Sequence, residues 1–415
     1  MRRLVAWWVA LAVVLTGATQ LRSPGLPIGP GEALLAAWIL FVLILLLGGR
    51  VLAGPVFRSL CLYWLAAAVL LGLGAVMAVA MGRADTAGYT RMHDAVAYAL
   101  LAAFSCSLAL RWREDNEEYH LTIMRVTFLA CTVCLTILLG IAMVVPGIGS
   151  LRFWYGGIRF SGWAVNPNQL AAFALVMPFF GWYLFGKARG WRRAGYGLAI
   201  ACSVAVGLAT KSDALRVAWL SSVGIVCLIS WYFRPVLHRD RLLPYVSYLL
   251  VPALFIVSAV AYGPEFMAAF ERAVTDMYGE RDQGQVRFTV WRNGLRALAE
   301  SPLVGWGPGA FSGLTRPFEG FEAHNNVIDW GASTGSLGAA LHVALWCWCA
   351  WRALSVGALS LFAVVVVVAI DGMFGYSLRQ PVYWLTLTMV LLLTERHQAA
   401  RRPAAQARAD PAGAP

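Results

Sequence analysis

Arg216, Arg287 and His324 are the residues of this sequence whose side chains and positions best suit chemistry on a phosphate-bearing molecule. Arg216 directly precedes the apolar run 217–220, where an arginine is costly unless it reaches water, pairs with an acid or binds a ligand. One interpretation is a pair with Asp213. The other is a fixed cation for a phosphate group, which a guanidinium binds through two parallel hydrogen bonds.

Arg287 lies in a stretch whose apolar residues recur at helical spacing over 286–298, and this pattern predicts an amphipathic helix. Arg292 follows on the same predicted helix and could share an anion with Arg287 or compete for it. The alternative is a helix face that is simply solvated. Arg287 is therefore a candidate phosphate ligand, and Arg292 is a further candidate substrate-binding residue.

His324 lies where a charged segment meets an apolar run, in the sequence 322–326 (EAHNN). The pKa of histidine is close to the working pH, so a histidine that faces water can accept a proton from a hydroxyl group. The alternative is a hydrogen-bonded histidine with a structural role. The neighbouring Asn325 is a further candidate for substrate binding.

A polar, glycine-rich segment over 156–162 is followed by Asn166-Pro167-Asn168 and then by an apolar run. This segment is either an ordered turn or part of a binding site. If it lines a site, Arg159 is the cation that it contributes.

Cofactor and metal signatures are weak in this sequence. It contains no P-loop, no dinucleotide-binding fingerprint and no nucleophile elbow. Glu280 and Asp282 have the spacing of some metal-binding acidic pairs, but one such pair in a charged loop is a weak signal. Cys131 and Cys134 have the spacing of half a zinc site without the other half. The sequence predicts no metal and no cofactor.

The composition sets the environment in which these residues act. Hydrophobic residues make up 60% of the 415 positions and charged residues only 13%, whereas a soluble domain carries about 25% charged residues. This small amount of polar surface cannot cover a water-soluble globule. The bilayer must therefore solvate most of the chain. The net charge of +12 lies in short clusters between apolar runs, which is typical of membrane topology and not of nucleic-acid binding.

The fold class predicted is an all-α polytopic membrane protein with about twelve transmembrane helices, because each apolar run is long enough to cross a bilayer. The predicted spans are 4–20, 31–47, 59–81, 92–110, 121–145, 169–186, 194–210, 213–232, 243–262, 325–350, 353–371 and 381–394. The first run could instead be a signal peptide, but its small residues fit a cleavage site poorly, and an uncleaved helix gives an even count.

Basic residues predict the orientation of these spans. With the N-terminus inside, 18 lysines and arginines fall at cytoplasmic ends and 8 in the short outer connections. The 8 outer residues are Arg22, Arg83, Arg91, Arg152, Arg159, Lys211, Arg216 and Arg379. Because positive charge favours the cytoplasmic side, both termini are predicted to be cytoplasmic.

The predicted domains follow from these spans. Residues 1–262 contain transmembrane helices 1–9, and 263–323 form a long outer, periplasmic loop with the amphipathic helix. Residues 324–397 contain helices 10–12, and 398–415 form a disordered cytoplasmic tail rich in alanine, proline and arginine. A structured loop of this length is usually functional.

Taken together, these motifs resemble the O-antigen ligase and polymerase superfamily of bacterial envelopes. The resemblance covers roughly 155–345. It begins with Arg159 and the segment before the sixth span, continues with Arg216 at the start of a later span, and includes 302–307 (PLVGWG). The strongest part is His324-Asn325 followed, after nine intervening residues, by the Gly-x-x-Gly of 335–338. Relatives often have serine directly before the first arginine, whereas Ser212 is four residues upstream of Arg216 here.

The resemblance implies a GT-C-like, metal-independent glycosyltransferase of the Gram-negative inner membrane, with a periplasmic active site. Such a ligase moves O-antigen from undecaprenyl diphosphate to the outer-core sugar of lipid A–core, so its partners are these two lipids and the membrane. His324 would be the base, and Arg216 and Arg287 would bind the diphosphate. Arg159, Arg292 and Asn325 would be additional substrate-binding residues.

Three other functions remain open from the sequence. An O-antigen polymerase uses the same donor with a second lipid-linked glycan as acceptor, and a related ligase glycosylates protein. The histidine and Gly-x-x-Gly signature favours the O-antigen ligase. A lipid-linked glycan transporter or flippase belongs to another class, and it predicts internal repeats and charges at the bilayer midplane, neither of which this sequence has.

Overall fold

The computed structural model describes residues 2–22, 28–82, 88–113, 118–232, 282–310 and 321–409. Within these ranges the chain forms twelve α-helices and three two-stranded sheets. The helices are α1 (Arg2–Thr16), α2 (Pro30–Leu47), α3 (Pro55–Ala80), α4 (Gly88–Leu108), α5 (Tyr119–Val144), α6 (Pro167–Lys187), α7 (Trp191–Ala209), α8 (Asp213–Tyr232), α9 (Asp282–Glu300), α10 (Asn326–Ser355), α11 (Leu359–Asp371) and α12 (Pro381–Ala409).

Six of the described helices, α2, α3, α5, α6, α8 and α10, are long and apolar enough to cross a membrane. Two further apolar helices, α1 and α11, are shorter. The protein is therefore a multi-pass, all-α membrane protein, as its composition predicts. Every predicted span within the described ranges falls on a helix, and the ninth, 243–262, lies outside them. That all twelve segments cross the bilayer remains a prediction.

Two expectations outside the predicted spans can be compared with the structure. The amphipathic stretch 286–298 is helical, within α9. The sequence predicts a disordered tail from Gln398, whereas α12 runs on to Ala409. Alanine and arginine are among the best helix formers, and this extends the helix. Residues 410–415 lie outside the described ranges.

Local sequence explains where several helices begin. α2, α3 and α6 each begin with proline. Proline fits the first helical position because a backbone N–H, which proline lacks, would have no partner within the helix there. The side chain of Asn166 accepts a hydrogen bond from the N–H of Asn168 (2.9 Å) and caps α6.

The helices pack into one bundle in which α10 is central. α10 contacts α3, α9, α11 and α12, while α11 also packs on α6 and α8, and α1 packs on α2 and α5. A buried histidine ties three of these helices together. His342 of α10 lies between the hydroxyls of Tyr63 on α3 (2.8 Å to Nδ1) and Tyr383 on α12 (2.7 Å to Nε2).

The six strands form three short antiparallel pairs in connections between helices. β1 (Val51–Ala53) pairs antiparallel with β2 (Leu110–Trp112). β3 (Gly147–Ile148) pairs with β4 (Leu151–Arg152), and β5 (Trp154–Tyr155) with β6 (Arg159–Phe160), in the connection from α5 to α6.

A break in α10 joins it to the segment that follows α9. Gly335 has φ 72° and ψ −175°, a conformation essentially restricted to glycine, and it interrupts the helix. The carbonyls of Ala332 and Ser333 then accept hydrogen bonds from the N–H groups of Trp306 and Gly307 (both 2.9 Å). A Cβ on Gly335 would lie 2.2 Å from the backbone of Leu303. The Gly-x-x-Gly motif therefore fixes α9 against α10 at this point.

Candidate active site

One large cavity, of about 2360 Å³, lies where many helix ends meet. The ends of α1, α7 and α11 and the beginnings of α2, α4, α6, α8, α10 and α12 surround it. These are the helix ends that the distribution of lysine and arginine predicts to face outward. Four of the predicted site residues line the cavity: Arg159, Arg216, Arg287 and His324.

The first charged surface of the cavity is the α8 wall, made of Arg159, Lys211 and Arg216. Arg159 projects from β6, donates from Nε to the carbonyl of Thr210 (3.1 Å) and from Nη2 to Asn168 Oδ1 (2.8 Å). Arg216 lies in the first turn of α8, and its Nη1 is 3.4 Å from Asp213 Oδ1. The pair with Asp213 predicted from the sequence is therefore present, although Asp213 itself is 73% exposed.

The contacts above bring one exposed carboxylate, that of Asp213, to the cations of the α8 wall. The two acceptors of Arg159 are neutral, and an exposed carboxylate 3.4 Å from Arg216 contributes little in water. Burial, opposed by the charge of Asp213, lowers the pKa of Arg159, and the neighbouring Arg216 also lowers it. An anion bound here would therefore relieve repulsion between two guanidinium groups.

The second charged surface is the histidine wall, made of Glu322, His324 and Arg379. His324 has φ 52°, in the left-handed region that few residues other than glycine adopt. The carboxylate of Asp329 holds this turn, since it accepts the N–H groups of Ala323 (2.7 Å) and Asn325 (3.2 Å). The structure therefore fixes the backbone of His324 at the entrance to α10.

The His324 side chain is about half exposed, at 54%, and its Nδ1 lies 3.8 Å from Glu322 Oε2. Burial lowers the pKa of His324 below its usual value of about 6.5, and the nearby positive charge of Arg287 lowers it further. A histidine with a lowered pKa is neutral at neutral pH, and a neutral imidazole can accept a proton.

Two predicted residues have other positions. Arg292 of α9 is exposed but is not among the described residues that line the cavity. Asn325 is buried at the start of α10, where its Oδ1 accepts the N–H groups of Val327 (3.0 Å) and Ile328 (3.2 Å), and its Nδ2 donates to the carbonyl of Met373 (3.1 Å). Asn325 therefore acts here as a helix cap.

The acidic pair considered for a metal falls partly outside the described ranges, since they begin again at Asp282. Among the described residues, no group of three or more histidines, cysteines or acids is arranged to hold a metal ion.

Four residues in and behind the histidine wall are not among the site residues predicted from the sequence. Glu322 and Arg379 face the cavity, His93 of α4 lines it, and Asp94 lies behind them. One signal was present in the sequence: Asp94 is an acid within the predicted span 92–110, and ionisable residues within spans usually mark functional sites.

The fold and the cavity define a multi-pass α-helical membrane protein with a cavity at one end of its bundle that has two charged walls. Residues 198–343, from α7 to α10, match the O-antigen ligase family, and this match supports a place for the chain in the O-antigen ligase and polymerase superfamily. The resemblance inferred from the sequence is thus confirmed, and a function of the ligase or polymerase type is supported. No curated protein matches the chain.

Proposed function

We propose that this protein is an O-antigen ligase that transfers O-antigen from undecaprenyl diphosphate to an outer-core sugar of lipid A–core. The observation that carries the proposal is the meeting of His324, Arg216 and Arg287 at one cavity, although they lie on separate segments. A glycosyl transfer from a lipid diphosphate needs cations for the leaving group and a base for the acceptor, and these residues supply both.

In the proposed reaction, the imidazole of His324 accepts the proton of an acceptor sugar hydroxyl. The hydroxyl oxygen bonds to the anomeric carbon of the donor glycan as the bond between that carbon and the diphosphate oxygen breaks. Arg216 and Arg287 stabilise the negative charge that develops on the departing undecaprenyl diphosphate. Arg159, on the same wall as Arg216, is a further diphosphate ligand. In this mechanism arginines supply the positive charge, with no metal required.

The rest of the cavity suits a donor with a long hydrocarbon chain. Beside its charged walls, the cavity is lined by apolar residues of α2 and α4, including Ala36, Met92, Val96 and Leu100. An apolar surface next to a cationic one fits a polyprenyl chain and its diphosphate. We place this cavity at the periplasmic face of the inner membrane and both termini in the cytoplasm.

The orientation has its own test. A single cysteine at Gln283, in a variant without the native cysteines, should react with a membrane-impermeant maleimide in intact spheroplasts. A cysteine in place of Gln398, beyond the last predicted span, is the matched control and should react only after lysis. The reverse pattern would contradict the charge-based orientation.

The reaction is tested with the full chain in nanodiscs, a donor with an undecaprenyl diphosphate-linked glycan, and lipid A–core as acceptor. Glycosylated lipid A–core is the expected product. If instead the donor glycan lengthens when two donor molecules are supplied, the protein is a polymerase. Transfer to neither acceptor, with movement of donor between bilayer leaflets, would support the transporter.

A further inference from the structure

Arg379 joins two carboxylates that come from distant parts of the chain. Its Nη1 donates to Asp94 Oδ1 of α4 (2.9 Å), and its Nη2 forms an ion pair with Glu322, just before α10. Its guanidinium also lies over the ring of Tyr376, with 4.8 Å between Cζ and the ring centroid. A guanidinium can make these contacts together because its donors lie in a rigid, planar fork.

Asp94 holds Arg379 from behind. The Asp94 side chain is fully buried, and its Oδ2 has no hydrogen-bond partner among the described residues. A buried carboxylate is strongly unfavourable without a compensating cation, so Arg379 cannot leave Asp94 without a large free-energy cost. The ion pair therefore holds the guanidinium at a defined place on the cavity wall.

Glu322 is held in turn, and it faces the proposed base. One carboxylate oxygen of Glu322 contacts Arg379, and the other lies 3.8 Å from His324 Nδ1. This distance is longer than a hydrogen bond, but catalytic contacts are often long without substrate and shorten when it binds. A carboxylate at the second ring nitrogen of a histidine base orients the ring and stabilises the imidazolium that forms.

We propose that Glu322 and Arg379 are positioning residues for His324, and that Asp94 anchors them to α4. The inference rests on the proposed function, because it assigns a role to the groups around its base. Asp94 and Arg379 lie outside the matched range 198–343, so the family match does not supply this role. The chain of contacts runs from a buried acid through a guanidinium and a carboxylate to the imidazole.

The charges around His324 predict opposite effects for two variants. Besides Glu322, the ring has Arg287 on α9 beside it, Asp329 of α10 beneath its turn, and Arg379 beyond Glu322, with His93 and Asp94 of α4 farther out. Glu322→Gln removes an anion near the imidazole and should lower the pKa of His324. Arg379→Gln removes a cation that offsets this anion and should raise it.

The test uses the full chain in nanodiscs, with Glu322→Gln, Arg379→Lys and Arg379→Gln. Glu300→Gln is the matched control, because it removes a carboxylate from an ion pair with Arg296 (3.2 Å) on α9, away from the cavity lining. We would measure kcat and KM for donor and acceptor from about pH 5 to 8. NMR of ¹³C-labelled histidine would follow the pKa of His324, with His324→Asn identifying its signal.

We expect Glu322→Gln and Arg379→Lys to lower kcat by about 10- to 100-fold, with KM values within about threefold of the wild type. Lysine keeps a positive charge beside Asp94 but lacks the planar fork whose two nitrogens reach the two carboxylates, so this variant remains informative if Arg379→Gln does not fold. The pKa of His324 should fall by about half a unit in Glu322→Gln and rise in Arg379→Gln. Glu300→Gln should change neither quantity.

A kcat within about threefold of the wild type in both Glu322→Gln and Arg379→Lys would overturn the proposal. So would an effect confined to the donor KM with the His324 pKa unchanged, since Arg379 would then be a substrate ligand. His324→Ala separates this inference from the proposed function. Full transfer by that variant would contradict the role of His324 as the base. The NMR measurements would still show whether Glu322 and Arg379 set the pKa of the His324 imidazole.

Discussion

The two charged walls of the cavity use arginine in opposite ways. On the α8 wall, the hydrogen-bond acceptors of Arg159 among the described residues are neutral, and Arg216 lies 3.4 Å from an exposed aspartate. On the histidine wall, Arg379 lies between two carboxylates, one of them fully buried. In the proposed function, the first wall offers positive charge to a ligand, whereas the second wall uses it for internal positioning.

This difference shows why a count of arginines near a cavity is a poor guide to substrate binding. An arginine that neutralises buried acids has little charge to offer an anion, whereas one with neutral partners gains from binding it. In the proposed function, the diphosphate binds to the α8 wall and Arg287, and proton transfer takes place at the histidine wall.

The largest expected effect is that of His324→Ala. Loss of a general base typically lowers the rate by about 100- to 10,000-fold, and this variant should lose transfer while its insertion in the membrane is unchanged. His397→Ala is the matched control, since His397 lies near the far end of the bundle and contacts Tyr183 (3.0 Å). Glycan transfer would be measured in vitro and as capped lipopolysaccharide in cells. Normal amounts of capped lipopolysaccharide in cells with His324→Ala would show that the histidine wall takes no part in the reaction.

A somewhat smaller loss is expected when the diphosphate loses one arginine. Arg216→Ala and Arg287→Ala should each reduce transfer by about 100- to 1,000-fold. Lysine should restore little activity, because an ammonium cannot reproduce two parallel guanidinium contacts. The assay is initial-rate transfer by purified protein, with and without EDTA.

EDTA should leave the wild-type rate unchanged if arginines alone stabilise the leaving group. Loss of activity with EDTA that magnesium or manganese restores would contradict the metal-free mechanism. Near-normal rates for both alanine variants would show that the diphosphate binds elsewhere, with Arg159 the next residue to test.

The smallest effect is expected for Arg292→Ala. Arg292 and Arg287 lie on the same helix, but only Arg287 is among the described residues that line the cavity. The transfer rate of Arg292→Ala should stay within about threefold of the wild type. A loss as large as that of Arg287→Ala would mean that both arginines reach the substrate. The proposal that α9 contributes one arginine to the anion site would then be wrong.

Most of the helical architecture could be predicted from the sequence, because the signal is local. Apolar runs of sufficient length locate the helices, and the period of 286–298 locates α9. The contacts among the charged residues around His324 could not be predicted from such local signals. Asp94 and Arg379 are 285 positions apart, and their contact depends on how α4, α10 and α12 pack. The face of α9 that lines the cavity also depends on packing, because the segment after α9 is held against the break in α10 at Gly335.

The roles of individual residues were harder to predict than their location. His324-Asn325 could be located as a pair from the motif, yet only His324 faces the cavity, since the amide of Asn325 caps α10. Asparagine suits both a cap and a sugar contact, so its residue type does not decide between them.

The most direct test of the two-wall account measures donor binding and glycan transfer in the same variants. Binding of the lipid diphosphate donor to nanodisc-embedded protein would be compared for wild type, His324→Ala and Arg216→Ala. The account predicts that His324→Ala binds donor within about threefold of the wild type and does not transfer it, whereas Arg216→Ala binds donor at least about tenfold more weakly. Weakened donor binding in His324→Ala together with unchanged binding in Arg216→Ala would contradict it.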